Sequence, residues 1–198
     1  MRPTFTRIRG PALLLLSTFA AGIGAQPNQH GVRWREGLVL EYRLEGSAAD
    51  TSGNKHDGTI HGNPRFGPGK AGQCVTLDGQ QDYLDCGATL ADLGQAFTVE
   101  CWVNPADRQN RYADIFGNHA HGGFGFVVEQ DGENANHFLG AYGAGSGRWV
   151  TMRPVKLAAG KWQHLALVKT PAELRLYVNG IPVAVNKEGA ALAPSPLT

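Results

Sequence analysis

Apolar residues recur at every second position in several short runs along this 198-residue chain. In "LVLEYRL", Leu38, Leu40, Tyr42 and Leu44 share one face, while Val39, Glu41 and Arg43 share the other. "FTVECWVN" sets Phe97, Val99, Cys101 and Val103 against Thr98, Glu100, Trp102 and Asn104. "GFGFVVE" brings Phe124, Phe126 and Val128 together, and "KWQHLALVK" and "ELRLYVNGIPVAV" complete the series. A period of two is the signature of a strand with one covered face. Trp162, His164, Ala166 and Val168 alternate with Gln163, Leu165, Leu167 and Lys169, which predicts a strand covered on both sides, with His164 in the core.

Clusters of Gly, Asn and Asp separate the runs at "SGNKHDG", "DGQQD", "GNHAHGG" and "DGENAN". Asn179-Gly180, between two strand patterns, is a tight-hairpin signal. Only "LADLGQA" reads as helical, for a turn or two. Many short strands joined by turns predict an all-β fold, a two-sheet antiparallel β-sandwich.

The first 25 residues have a different pattern. Arg2, Arg7 and Arg9 precede the apolar run "PALLLLSTFAAGI", and Ala25 supplies a small residue at a cleavage point. This three-part order predicts an export leader over residues 1–25, and the run is short for a membrane span. A linker over 26–36 and one domain over 37–198 then follow, in a protein secreted to the extracellular or periplasmic space. Loss of the leader takes the formal charge from +1 to −2, because it removes three bases and no acid. With no Lys/Arg cluster, nothing points to nucleic acid or to membrane insertion.

Chemistry enters at a few places. Cys74 and Cys86 flank "VTLDGQQDYLD"; if that segment is a hairpin, they are cross-strand neighbours able to form a disulfide, and if not they are two thiols. Cys101 reads as a small buried hydrophobe. Glu129, Asp131 and Glu133 in "EQDGE" have the spacing of carboxylates on one strand face, as glycoside hydrolysis needs, but Asp131-Gly132 also reads as a turn. His119 and His121 could offer two imidazoles to a metal, without a third ligand close by in sequence. Arg108, Asn110, Arg111, Tyr112, Tyr142, Arg148 and Trp149 are residues of the type that stack on sugars or fork hydroxyls, as well as ordinary core or rim residues; Arg111, Tyr112, Tyr142 and Trp149 form the ligand-binding expectation. No Gly-x-Ser-x-Gly, phosphate loop or dinucleotide fingerprint occurs.

Three segments in order resemble the laminin-G-like, concanavalin-A-like jelly-roll family: the opening "LVLEYRLEGSAADTSGNKHDGTIHG" with its "CVTLDGQQDYLD" continuation, then "FTVECWVNP", then "GKWQHLALVKTPAELRLYVNGIPVA". The resemblance implies a non-catalytic binding or adhesion module for glycans or extracellular protein. It also implies calcium at the sandwich rim, for which Asp50 and Asn54 are the matching positions; an Asx-turn explains the same Asp-x-Ser-Gly-Asn. The family continues past the Tyr-Val-Asn-Gly hairpin into an acidic closing strand, whereas "ALAPSPLT" ends this sequence. That departure predicts a truncated product or fragment lacking one or two strands, with unpaired edges; the alternative is a shortened domain that pairs with another chain. A divergent glycoside hydrolase and a structural surface domain without its own ligand are the alternative readings.

Overall fold

The computed structural model describes residues 7–8 and 16–19 by their backbone, and residues 35–87, 93–133 and 136–196 in full. Sixteen strands are present among them. The first seven are β1 (Arg7–Ile8), β2 (Leu16–Phe19), β3 (Leu38–Tyr42), β4 (Thr59–His61), β5 (Arg65–Pro68), β6 (Gln73–Thr76) and β7 (Tyr83–Asp85). Then come β8 (Phe97–Val103), β9 (Asp114–Gly117), β10 (Phe126–Gln130), β11 (His137–Gly143) and β12 (Trp149–Thr151). The last four are β13 (Val155–Lys156), β14 (Gln163–Lys169), β15 (Leu174–Val178) and β16 (Ile181–Asn186). No α-helix occurs among the described residues; "LADLGQA" begins outside them, and Gly94–Gln95 form a turn.

The strands make an antiparallel jelly-roll sandwich. One sheet runs β16-β15-β14-β8-β2-β3, and a second runs β12-β11-β10-β9, with β13 also on β11. A three-stranded piece, β1-β7-β4, lies with β1 against β9, and β5 pairs with β6. The core is where the period of two places it. Leu40, Tyr42, Val99, Cys101, Val103, Leu165 and Leu167 from one sheet meet Phe126, Val128, Phe138, Tyr142 and Val150 from the other. The Phe97 and Phe126 rings contact across the layers at 4.7 Å. At Gly140 a Cβ would meet the side-chain ends of Met152 (2.5 Å) and Leu167 (2.7 Å), so the inner layer packs closely over this glycine.

Lys169 is an exception inside this core. It is buried at the end of β14, its Nζ donates to the Thr170 carbonyl, and it stands 4.7 Å over the Tyr142 ring. Burial lowers its pKa. Asn179 and Gly180 both take positive φ (52° and 77°), as a two-residue hairpin between β15 and β16 requires. His164 differs from expectation. It points away from the core, with Nε2 3.5 Å from Glu100 Oε2 and its ring beside Trp102.

A further difference concerns pairing. Asp78-Gly79 does not turn a β6–β7 hairpin: β6 pairs with β5, and β7 with β4 and β1. Cys74 and Cys86 are therefore not cross-strand neighbours, and both are free thiols, as is Cys101. Cys74 Sγ lies 3.0 Å from the Gly67 carbonyl, whereas Cys86 is buried beside Tyr42, with its pKa pushed up to about 12, chiefly by burial. At the N-terminus, β1 pairs with β7, and β2 lies between β3 and β8.

Candidate functional site

The outer face of the β9–β12 sheet is built by register. Phe126, Val128 and Gln130 of β10 point inward, so Val127 and Glu129 point outward, and cross-strand partners share a face. Val127 pairs with Ala141 and Gly117, and Glu129 with Leu139 and Asp114. Ala141 pairs in turn with Thr151, and Gly143 with Trp149. The centre of the face carries small or short side chains that are themselves buried, Val127 and Ala141 among them, while the partly exposed Glu129, Asp114, Leu139 and Trp149 stand around it.

Asp114 reaches this face through a bulge. The ladder shifts between Val128 and Glu129, so that Phe116 opposes Val128 but Asp114 opposes Glu129, leaving Ile115 as the extra residue. Ile115 turns into the core, and Asp114 turns outward. His119 follows on the loop after β9, with Nδ1 4.0 Å from Asp114 Oδ2 and its ring edge-on to Trp149 at 6.1 Å. Burial, with a smaller contribution from His121, lowers the His119 pKa, so this contact joins a neutral imidazole to a carboxylate rather than forming an ion pair. Burial raises the Glu129 pKa.

Arg111 and Tyr112 stand at the far end of the face from Trp149. Tyr112 N–H donates to Gln130 Oε1, while Trp149 lies beyond the Phe126–Tyr142 pair, roughly 17 Å away along the strand. Tyr112 takes a positive φ of 56° and is 55% exposed. Its ring lies against Gly132, where a Cβ would meet it at 2.4 Å, and the Arg111 guanidinium stacks 5.1 Å over it.

Of the four ligand-binding residues expected from sequence, the structure leaves three on the surface. Tyr142 is fully buried, and its hydroxyl donates to the Glu188 carbonyl at 2.7 Å. Its inward position follows from pairing with Phe126, so it holds the core rather than a ligand. Asn110 donates to the Gly79 carbonyl, and Arg148 pairs with Glu188. The "EQDGE" carboxylates do not line one strand: β10 ends at Gln130, and Asp131 Oδ1 caps the turn by accepting Glu133 N–H at 2.9 Å. Asp114 and His119 are what sequence reasoning did not join to Glu129.

Asp50 and Asn54 form a closed turn. Asp50 Oδ1 accepts N–H groups of Glu41 (3.1 Å) and Ser52 (2.8 Å); Oδ2 accepts the Ser52 hydroxyl (2.8 Å) and His56 N–H (3.0 Å). Burial alone would raise the Asp50 pKa, but these bonds hold it below its ordinary value. Asn54 Nδ2 donates to the Leu38 and Val39 carbonyls, both at 2.9 Å. Calcium would have to displace donors from every Asp50 oxygen, so these residues as arranged do not fit it. Among the described residues, no group of three His, Cys, Asp or Glu side chains is placed to hold a metal.

Comparison with known proteins agrees with this architecture. The laminin G family 3 profile, described as the concanavalin A-like lectin/glucanases superfamily, matches residues 78–197. The chain belongs to this superfamily. Among solved structures it is similar to domain 4 of AbnA, a GH43 extracellular arabinanase from Geobacillus stearothermophilus, in complex with arabinotriose. The TM-score is 0.61 at 19% identity, over 79% of this chain and 78% of that one. It is also similar to the botulinum neurotoxin serotype C1 binding domain, with a TM-score of 0.49 at 9% identity, over 79% of this chain and 41% of that one. No curated protein sequence matches the chain.

Proposed function

We propose that this superfamily member is an exported, non-catalytic module that binds glycan on the outer face of the β9–β12 sheet. The observation that carries the reading is the face itself. Partly exposed Trp149 and the acceptors Asp114 and Glu129 stand around Gly117, Val127 and Ala141, which are themselves buried. Sugars need an apolar ring surface to stack on and fixed acceptors for hydroxyls; Trp149 is such a ring, and His119 links it to Asp114. The arabinotriose-bound domain of similar fold supports the substrate class. Export rests on the basic-apolar-small pattern of residues 1–25.

The test is titration of the full chain against arabino-oligosaccharides and a wider glycan panel, with Trp149→Ala and Asp114→Asn alongside. Saturable binding that falls at least tenfold in Trp149→Ala supports the reading. Binding unchanged in both variants, or no binding to any glycan, overturns it.

A second reading has an observation of its own. Glu129, with its raised pKa, and Asp114 form a cross-strand carboxylate pair, the arrangement that glycoside hydrolysis uses for acid and nucleophile. Release of reducing ends that Glu129→Gln abolishes, with glycan binding retained, would favour that reading over the module.

A further inference from the structure

Basic residues that are scattered along the sequence come together at one edge of the fold. Arg153 lies in the connection between β12 and β13, and Lys187 directly follows β16. Arg175 stands on the outer face of β15, since Leu174 and Leu176 beside it point into the core. All three line an open groove of about 400 Å³ at the β16 edge of the larger sheet, against the apolar side chains of Pro182, Val183 and Val185. Among the described residues no carboxylate lines this groove, in a chain whose formal charge is only +1.

Two of the three cations are held in place. Arg153 Nη2 donates to the Val183 carbonyl at 3.2 Å. Arg175 Nη2 pairs with Glu173, and its Nη1 lies 3.5 Å from the Tyr177 hydroxyl. Glu173 offsets one charge, which leaves 3 − 1 = +2 at the groove. Each guanidinium has N–H groups beyond those bonds, and Arg175 Nε is buried without a partner. Side chains already held lose little rotamer freedom on binding, so two fixed guanidinium forks are prepared for an oxyanion. The apolar walls strengthen the attraction, because they leave less water to screen it.

The same edge is poorly suited to a peptide strand. Strand addition needs a continuous row of main-chain donors and acceptors. Here Pro182 has no N–H, Arg153 occupies the Val183 carbonyl, and the β15–β16 ladder shifts register between Leu176 and Tyr177. Recognition therefore falls to the side chains. The groove is also near the small end of the range for ligand sites, which suits a charged sugar unit better than a folded partner.

We propose that this groove is a second ligand site, separate from the β9–β12 face, where Arg153, Arg175 and Lys187 hold the carboxylate or sulfate of an acidic glycan. The oxyanion accepts charge-assisted hydrogen bonds from the guanidinium and ammonium groups, and the sugar ring that bears it lies against Pro182 and Val185. The site stands whether or not the face beside Trp149 binds glycan.

The experiment is calorimetric titration of the full chain at low ionic strength with four probes of matched length. Oligogalacturonate supplies carboxylates, a carrageenan oligosaccharide supplies sulfates, a galactan oligosaccharide is neutral, and oligoglutamate carries carboxylates on a peptide. The groove variant is Arg153→Gln with Lys187→Gln. Its control is Lys156→Gln with Lys161→Gln, which removes the same charge from exposed positions outside the groove. Saturable binding of either acidic sugar that falls at least tenfold in the groove variant, and less than twofold in the control and in Trp149→Ala, supports the site. The sugar that binds then identifies carboxylate or sulfate as the group held. No binding of either acidic sugar overturns the proposal, as does an equal loss in the groove and control variants. Galactan or oligoglutamate binding as tightly as the acidic sugars also overturns it. A loss in Trp149→Ala that matches the groove variant would move acid binding to the β9–β12 face and overturn it too.

Discussion

Glu129 of β10 stands opposite Asp114 of β9 only because β9 carries Ile115 as an extra residue between the Val128–Phe116 pair and this one. In a regular ladder Ile115 would occupy the outer face and Asp114 would turn inward opposite Gln130. The bulge thus removes an isoleucine from the exposed sheet and gives the core another apolar residue. It also sets a second carboxylate beside Glu129.

That placement fixes a pH dependence. Burial raises the Glu129 pKa above its ordinary value of 4.5, so the folded state holds this proton more tightly than the unfolded chain does. The stabilising contribution of the neutral acid is complete below the unfolded value and is lost as pH rises through the folded one. Glu129→Gln should therefore raise Tm near pH 7 and leave it unchanged below about pH 4, where both states are protonated. Equal melting curves at pH 7 would show that the carboxylate is fully solvated.

Tyr112 and Tyr142 were equivalent as sequence and are opposites in the fold. Tyr142→Ala removes a fully buried ring with Lys169 over its face, and should cost about 3–5 kcal/mol in denaturant unfolding. Tyr112→Ala, at a side chain more than half exposed, should change stability by less than about 1 kcal/mol. Its effect belongs in ligand titration instead. A Tyr142→Ala protein of normal stability would contradict the core placement.

What could be read beforehand followed from local pattern. The alternation in "FTVECWV" and "LVLEY" placed their inward residues correctly, because a half-buried strand shows its period without reference to its partners. The short β9, "DIFG", shows no period, and its bulge exists only in register with β10; Asp114 and His119 were for that reason invisible as a site. Cys74 and Cys86 misled because a turn signal between two strands does not say that those strands pair. "LSTF" marks a limit of pattern: the apolar core of a leader and a central strand bounded by two neighbours have the same composition, so the residues alone do not separate the two.

The Asp50 turn has a stability role that separates it from a cation site. Four hydrogen bonds converge on its carboxylate, and its lowered pKa means that their contribution is present above the unfolded value and is lost as pH falls through the folded one. Asp50→Ala should cost about 1–3 kcal/mol near pH 7, with the deficit shrinking in acid. Addition of a calcium chelator to the native protein should leave Tm where it was. A drop of several degrees with chelator, restored by calcium, would show that the turn opens to take the ion.

The three cysteines offer a check on the fold that does not involve ligand. Each is buried and free; burial holds the Cys101 thiol well above its ordinary pKa, as it does Cys86 and, less strongly, Cys74. Nucleophilic reaction requires the thiolate, so none should react with iodoacetamide at neutral pH while the domain is folded. Cys74 sits near the sheet surface in the short β5–β6 pair and depends on the fewest neighbouring strands, so it should be the first to label as denaturant is raised. Cys101 lies in β8 between β14 and β2 and should label only on global unfolding. Mass spectrometry of protein alkylated in denaturant without reductant should find all three modified. A product two hydrogens lighter, with one alkylated cysteine, would require β6 and β7 to lie together and would revise the pairing of both strands.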